Sequence, residues 1–187
     1  VACGLDCAEY GPDWNVLARI TGHVLDGLET NAGKLDPVRV GVWASGVLTR
    51  WGNPPVGVDS TGVGSGTCGK LRELEHTAER VMAGEAARRY DLFARRNAEM
   101  AWRLREALQR GELGIRPDLP RLDRLLAELS AYRFGYDDRG RIRLLRDQTK
   151  KLLGHSPDLA DAVILAHAQA THPVGESWEI VEDGLVL

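Results

Sequence analysis

The chain has 187 residues, 43% of them hydrophobic, which suits one domain with a core of ordinary size. Lys and Arg number 24 against 27 Asp and Glu, a net charge of −3, so the chain as a whole is not a polybasic nucleic-acid binder, while a local basic face around an acidic site stays open. Three cysteines (Cys3, Cys7 and Cys68), odd in number and without a C-x-x-C pair, argue against a disulfide framework or a zinc site and suit a reducing compartment. No apolar run reaches the roughly 18 residues of a membrane span, and no signal peptide opens the chain. It begins without Met, directly in an apolar run, as an excised domain or a processed product would.

Residues 1–8 alternate, with Cys3, Leu5 and Cys7 against Ala2, Gly4 and Asp6, and predict a strand. Asp6 inside it is unusual, because Asp is depleted in strands. After a turn over 9–13, strands are expected at about 14–20 and 23–28 across a tight Thr21-Gly22 turn, completing an antiparallel meander. Residues 37–51 predict a helix with Pro37 at its start and Val38, Val42, Val47, Leu48 and Trp51 as its apolar stripe; Gly52-Asn53-Pro54 stops it. Residues 55–59 form a short buried strand that ends on Asp59. The strand–helix–strand order implies a crossover that lays this strand parallel to and beside the first. Asp59 then sits at a strand carboxyl end, where ligand chemistry gathers in open α/β sheets, and Asp6 can face the same place.

The next stretch, Gly64-Ser65-Gly66-Thr67-Cys68-Gly69-Lys70, is nearly a Walker A loop following a strand. Leu71 stands where such a loop needs Ser or Thr for magnesium, and no apolar strand ending in Asp-Glu follows. Two readings stay open: a nucleotide-binding module built on Gly64 to Lys70, and a glycine-rich approach that lets backbone and substrate come close to Asp59. A helix over about 69–76 and a strand around 79–83 complete the sheet. Residues 90–110 predict a long amphipathic helix that buries Leu92, Phe93, Ala94, Met100, Ala101, Leu104 and Leu108 and leaves Arg95, Arg96, Arg103 and Arg105 wet, ended by Gly111. A further helix is expected at 119–129.

Residues 133–136 and 141–145 predict a hairpin around the turn Asp137-Asp138-Arg139-Gly140. Arg141 and Arg143 share one face at period two, and Arg139, Arg146, Lys150 and Lys151 lie close by in sequence. This is the most concentrated basic patch in the chain. It reads either as a solvated face or, beside an acidic metal site, as a track for DNA phosphates. A short helix over 148–153 leads to Gly154-His155; His155 adjoins the acids and reads either as a proton carrier or as an ordinary hydrogen-bonded histidine.

Ser156-Pro157-Asp158-Leu159-Ala160-Asp161-Ala162 reads as the first turns of a helix, with Ser156 at the N-cap and Pro157 at the first helical position. Asp158 falls where the helix dipole favours an anion, and Asp161 lies on the same face three residues on. The residues around them (Leu159, Ala160, Ala162, Val163, Ile164, Leu165, Ala166) are apolar, so this helix is buried on most sides. A carboxylate in such surroundings costs several kcal/mol or more unless compensated by a base, a proton or a metal. Residues 172–187, through Trp178 to Leu187, read as a C-terminal tail or small hairpin that docks, which places the domain at 1–171 with the hairpin insertion at about 131–146.

A mixed five-stranded sheet of order 3-2-1-4-5, flanked by helices, would bring Asp6, Asp59 and Asp161 to one edge. Clustered carboxylates cannot all stay ionised without cations between them, and oxygen-only ligands select magnesium or manganese. Two such ions can activate water and steady the leaving oxygen of a phosphodiester, so the expected chemistry is metal-dependent hydrolysis of nucleic acid.

Four segments carry a resemblance: 4–13, 58–64, 97–105 (Asn97-Ala98-Glu99-Met100-Ala101-Trp102-Arg103-Leu104-Arg105) and 154–162, the last being the most specific. With them the chain resembles the C-terminal nuclease domain of the large terminase subunit of tailed bacteriophages, a ribonuclease H-like α/β family. The resemblance implies an endonuclease that cuts concatemeric double-stranded viral DNA during genome packaging. It implies Asp6, Asp59 and Asp161 as catalytic acids holding two Mg2+ or Mn2+ ions, with Asp158 as a possible fourth ligand, as in the similar D-x-x-D helix of Holliday-junction resolvases. A resolvase-like nuclease of the same fold is the neighbouring reading. The resemblance also implies an upstream packaging ATPase domain, portal and small-subunit partners, no membrane, and a phage or prophage protein at work in the host cytoplasm. His155 departs from the basic residue expected at its position.

Overall fold

Near the middle of the sheet two short parallel strands carry the same tripeptide pattern, Gly-x-Asp. They are β1 (Ala2–Asp6) and β4 (Val56–Asp59), in a register that puts Gly4 opposite Gly57 and Leu5 opposite Val58. Side chains alternate faces along a strand. Cys3, Leu5, Val56 and Val58 therefore point to one side, into a core with Ala44, Val47 and Leu48 of α1 (Pro37–Arg50) and Cys68 and Leu71 of α2 (Gly64–Glu73). Gly4 and Gly57 point to the other side, where α6 (Asp158–Thr171) lies. A Cβ on Gly4 would stand 2.2 Å from the Ala166 nitrogen and 2.3 Å from the Ala162 carbonyl oxygen, so the backbone of α6 rests directly on the strand. Eleven of the 14 residues of α6 are buried, as its apolar composition requires.

This computed structural model describes residues 1–8, 13–32, 35–60, 62 and 64–171. Residues 9–12, 33, 34, 61, 63 and 172–187 lie outside the described residues, and with them most of the expected turn over 9–13, the expected C-terminal segment 172–187 and parts of the first two resembling segments. Around the central pair run β2 (Trp14–Thr21) and β3 (Val24–Ala32), antiparallel, and β5 (Ala78–Val81), parallel to β4. The expected order 3-2-1-4-5 is present and is extended at one edge by β6 (Gly114–Ile115), which pairs parallel with β3. Two residues are too few to leave an alternation in the sequence. On the α6 side, α3 (Arg96–Gln109) and α4 (Leu122–Ala131) close a second core that includes Val16, Ile20, Leu104, Leu125 and Val163. The hairpin β7 (Phe134–Tyr136) and β8 (Ile142–Leu144) pairs Gly135 with Arg143, and α5 (Arg146–Leu153) follows it.

Several elements depart from expectation for identifiable reasons. α3 begins at Arg96 and not near Tyr90, because the backbone of 92–94 bonds to the hairpin instead: Ile142 N–H donates to the Leu92 carbonyl and Ala94 N–H to the Ile142 carbonyl. Leu92 is consequently exposed, while Arg96 is buried and reaches toward Glu85. In α1 the buried residues are Val40, Gly41, Ala44, Val47 and Leu48, and Val38 and Val42 face solvent. α2 begins at Gly64, five residues before the expected start; a Cβ there would collide with the Asp59 carbonyl oxygen at 1.6 Å, so only glycine lets this helix follow the strand so closely.

Gly4→Ala should cost about 2 kcal/mol or more, since the added methyl meets helix backbone and not a side chain that can turn away. In a domain of this size that is a fall in melting temperature of roughly 4–8 °C. Calorimetry showing an unchanged melt would mean that α6 does not rest on β1 as described.

Candidate active site

The Gly-x-Asp pattern converts the fold into a site. Asp6 and Asp59 each stand two residues beyond a glycine that faces α6, so both carboxylates leave the sheet on the α6 side, at the carboxyl ends of neighbouring parallel strands. Ala162 lies over Gly4, which brings the first turn of α6, with Asp158 and Asp161, over Asp6. The consequence is electrostatic. The Asp6 carboxyl is held well above the usual carboxylate range, chiefly by burial, then by the negative charges of Asp161, Asp158 and Asp59, with Arg146 opposing.

Asp161 accepts hydrogen bonds from the Tyr132 hydroxyl and from both terminal nitrogens of Arg146, the latter at 2.7 and 3.3 Å. Burial and the neighbouring Asp161 push the Tyr132 phenol well above its ordinary value, so it remains a donor. The Asp161 charge likewise raises the pKa of Arg146 further. Asp158, 3% exposed, turns elsewhere: its Oδ2 accepts the Trp14 N–H at 2.9 Å and lies 3.9 Å from Arg124. Its carboxyl is pushed up to about 7, first by burial and then by Asp13, Glu128 and Asp161, against the Trp14 hydrogen bond. Ser156 does not cap α6; its hydroxyl donates to Asp13 at 2.9 Å. His155 places Nδ1 2.6 Å from the Ser156 carbonyl oxygen, in a local hydrogen bond.

A cavity of about 20 Å3, lined in part by Asp59, Asn97, Arg146 and Asp161, has room for roughly one water-sized sphere. Its two carboxylates, Asp59 and Asp161, are oxygen donors of the kind a hard divalent cation takes, and Asp6, held toward its protonated form first by burial and then by the neighbouring acids, is of the same chemistry. As the side chains stand, no three His, Cys, Asp or Glu among the described residues are grouped around one point as a metal ion requires. Asp161 instead faces the Arg146 guanidinium, which supplies the positive charge there.

No family model matches the chain, nor does any curated protein. Solved structures do. The nuclease domain of the large terminase subunit of bacterial virus Sf6 superposes with a TM-score of 0.79 at 21% identity, over 89% of this chain and 88% of that one. The large terminase nuclease of a thermophilic phage, with bound magnesium, superposes with a TM-score of 0.66 at 16% identity, over 90% and 80%. The nuclease domain of a Thermus phage large terminase gives 0.61 at 13%, over 90% and 79%.

The fold is that of a large-terminase nuclease domain.

On this terminase-nuclease fold the basic patch divides in two. Arg139, Arg143, Lys150 and Lys151 are exposed. Arg141 is paired with Asp137 at 2.7 Å, and Arg146 with Asp161. Arg143 and Arg146 line a shared cavity of about 330 Å3 with Asn97, and Arg146 is the member of the patch that reaches an acid, Asp161. The Gly64–Lys70 stretch is not a phosphate cradle: its residues lie within α2, where backbone N–H groups beyond the first turn bond along the helix, and Lys70 pairs with Glu73 at 2.7 Å. Sequence reasoning missed Tyr132, Asn97 and Glu128. Asn97 opens one of the resembling segments; Tyr132 and Glu128 carried a signal only in their spacing, one helical turn apart.

The raised Asp6 carboxyl gives a pH prediction. The folded protein binds that proton more tightly than the unfolded chain, so Asp6 costs stability as pH rises past about 4, the ordinary carboxylate range. Asp6→Asn should therefore melt higher than the parent at pH 8, with the gap narrowing toward pH 4. Equal melting temperatures at pH 8 would show that the carboxylate carries no such strain.

Proposed function

We propose that this chain is the nuclease domain of a phage large terminase, a divalent-metal-dependent endonuclease acting on double-stranded DNA. The observation that carries the reading is the electrostatic convergence of Asp59, Asp158 and Asp161 on Asp6, in a fold shared with terminase nucleases solved with magnesium or manganese. Asp6, Asp59 and Asp161 are the residues that hold the metal and carry catalysis, with Asp158, which here accepts the Trp14 backbone N–H, as the candidate fourth ligand. Two Mg2+ or Mn2+ ions would supply an activated water and charge neutralisation at the leaving oxygen.

The chain's own residues do the rest. Tyr132 holds the Asp161 carboxylate by a hydrogen bond that limits its rotation. Arg146, paired with Asp161 and adjoining the Arg143 cavity, stands where it can exchange that carboxylate for a DNA phosphate, a fork-shaped donor suited to either. Arg139, Arg141, Arg143, Lys150 and Lys151 form the DNA-binding face on the hairpin side. Phosphate contacts carry no base information, so cutting by this domain alone is largely sequence-independent. In the packaging complex an upstream ATPase domain, with portal and small subunit as partners, would deliver the DNA in the host cytoplasm. Among the described residues no helix is long and apolar enough to cross a membrane.

Supercoiled plasmid incubated with manganese should be nicked and linearised, and chelator should stop it. Asp6→Ala, Asp59→Ala and Asp161→Ala should each lower cutting by about a hundredfold or more, the several kcal/mol that metal-borne charge stabilisation supplies. Full activity in any of the three would remove that residue from the site, and absence of manganese-dependent cutting in the parent would end the reading. Arg143→Ala should weaken DNA binding at every sequence alike and flatten the slope of log affinity against log salt by about 0.9; an unchanged slope would take Arg143 off the DNA path.

A further inference from the structure

α4 carries Arg124 and Glu128 four residues apart, and Tyr132, four further on, is its C-cap residue, which continues the same ridge past the end of the helix. All three reach the acidic first turn of α6. Glu128 is completely buried, yet it is a carboxylate beside other carboxylates. Its Oε2 accepts the Ala160 N–H at 3.0 Å and its Oε1 accepts from Arg124 Nε at 2.8 Å. The first bond within α6 runs from Asp161 N–H to the Pro157 carbonyl at 2.8 Å, so Ala160 N–H is one of the end donors that no residue of the helix can satisfy. That donor is ordinarily taken by the side chain of the cap residue. Pro157, at the cap position, has no such side chain, and the Ser156 hydroxyl is engaged with Asp13. A carboxylate 32 residues earlier in the chain does the capping instead, with the positive end of the helix and Arg124 offsetting its burial.

One turn further along the ridge, the Tyr132 hydroxyl holds the Asp161 carboxylate itself. One turn back, Arg124 lies 3.9 Å from Asp158 and stacks at 3.9 Å on the ring of Trp14, a residue whose backbone N–H donates to Asp158. The ridge thus grips the Asp158-x-x-Asp161 turn at three points: one side chain, the backbone between, and the other side chain.

We propose that this ridge of α4 positions the metal-holding acid: Glu128 sets the backbone beside Asp161, Tyr132 sets its carboxylate, and neither touches the substrate. The inference rests on the nuclease reading. Partners that orient a ligating carboxylate are worth about 10–100-fold in metal affinity or activity.

The test compares Glu128→Ala, Glu128→Gln and Tyr132→Phe with the parent by two readouts. One is the manganese concentration that gives half of the metal-induced rise in melting temperature, measured without DNA. The other is the kcat and KM of plasmid nicking. Glu128→Ala and Tyr132→Phe are expected to need about tenfold more manganese and to lose kcat with KM for DNA unchanged. Glu128→Gln, which keeps an acceptor for Ala160, should stay within about threefold of the parent. Parent-like manganese demand in folded Glu128→Ala and in Tyr132→Phe overturns the positioning role, as does a Glu128→Gln as impaired as Glu128→Ala. Should Glu128→Ala fail to fold, Tyr132→Phe, which removes a single oxygen, decides alone. A parent without any manganese response would instead remove the nuclease reading, and the ridge's role with it.

Discussion

The contact between α6 and β1 at Gly4 is the constraint on which the rest depends. A helix backbone can lie on a strand at that distance only where the strand has no side chain. The approach fixes more than packing. It sets the height of the α6 first turn above the sheet, and the two-residue repeat of the strand then directs the Asp6 carboxylate at that turn. Gly57, opposite it on the neighbouring strand, faces the Gln169 side chain of α6, and the same alternation brings Asp59 to that side. The two glycines thus make a place where charge accumulates.

Accumulated charge has to be answered, and the molecule answers it differently at each acid. Asp161 has a base, Arg146, together with the Tyr132 hydroxyl. Asp158 has a backbone N–H from Trp14 and a carboxyl shifted to about 7. Asp6 has the positive end of α6 nearby and opposition from Arg146, and still holds its proton far more tightly than a free carboxylate. Such strain is ordinary at a place built for something other than stability. On the proposed reading, divalent cations would add a further form of compensation, with charge of the kind a phosphodiester transition state uses.

The second dependence is on elements distant in sequence. The hairpin β7–β8 takes the backbone of 92–94 out of α3 and, through the start of α5, swings Arg146 onto Asp161. α4 supplies a cap, and its C-cap residue Tyr132 a hydroxyl, to a helix about 30 residues later. A basic side chain that looks like one more positive charge on a patch is therefore part of the acidic site, and a glutamate that looks like part of a solvated helix face is wholly buried.

Local pattern was enough for much of this. Alternation in 1–8, Pro37 at a helix start, the glycine turn between Arg133 and Leu145 and the apolar run after Pro157 determine the elements by their periods, and the crossover rule then orders the sheet. Asp6, Asp59, Asp158 and Asp161 stand out in the sequence because carboxylates in apolar elements are costly. What the tertiary structure alone decided were the partners: Arg146 and Tyr132 on Asp161, Trp14 on Asp158, Glu128 on the end of α6, and the placing of Gly64 to Lys70 inside a helix. Periodicity reports which face of an element is buried. It does not report which residue from elsewhere in the chain meets that face, because that depends on the packing of whole elements against one another.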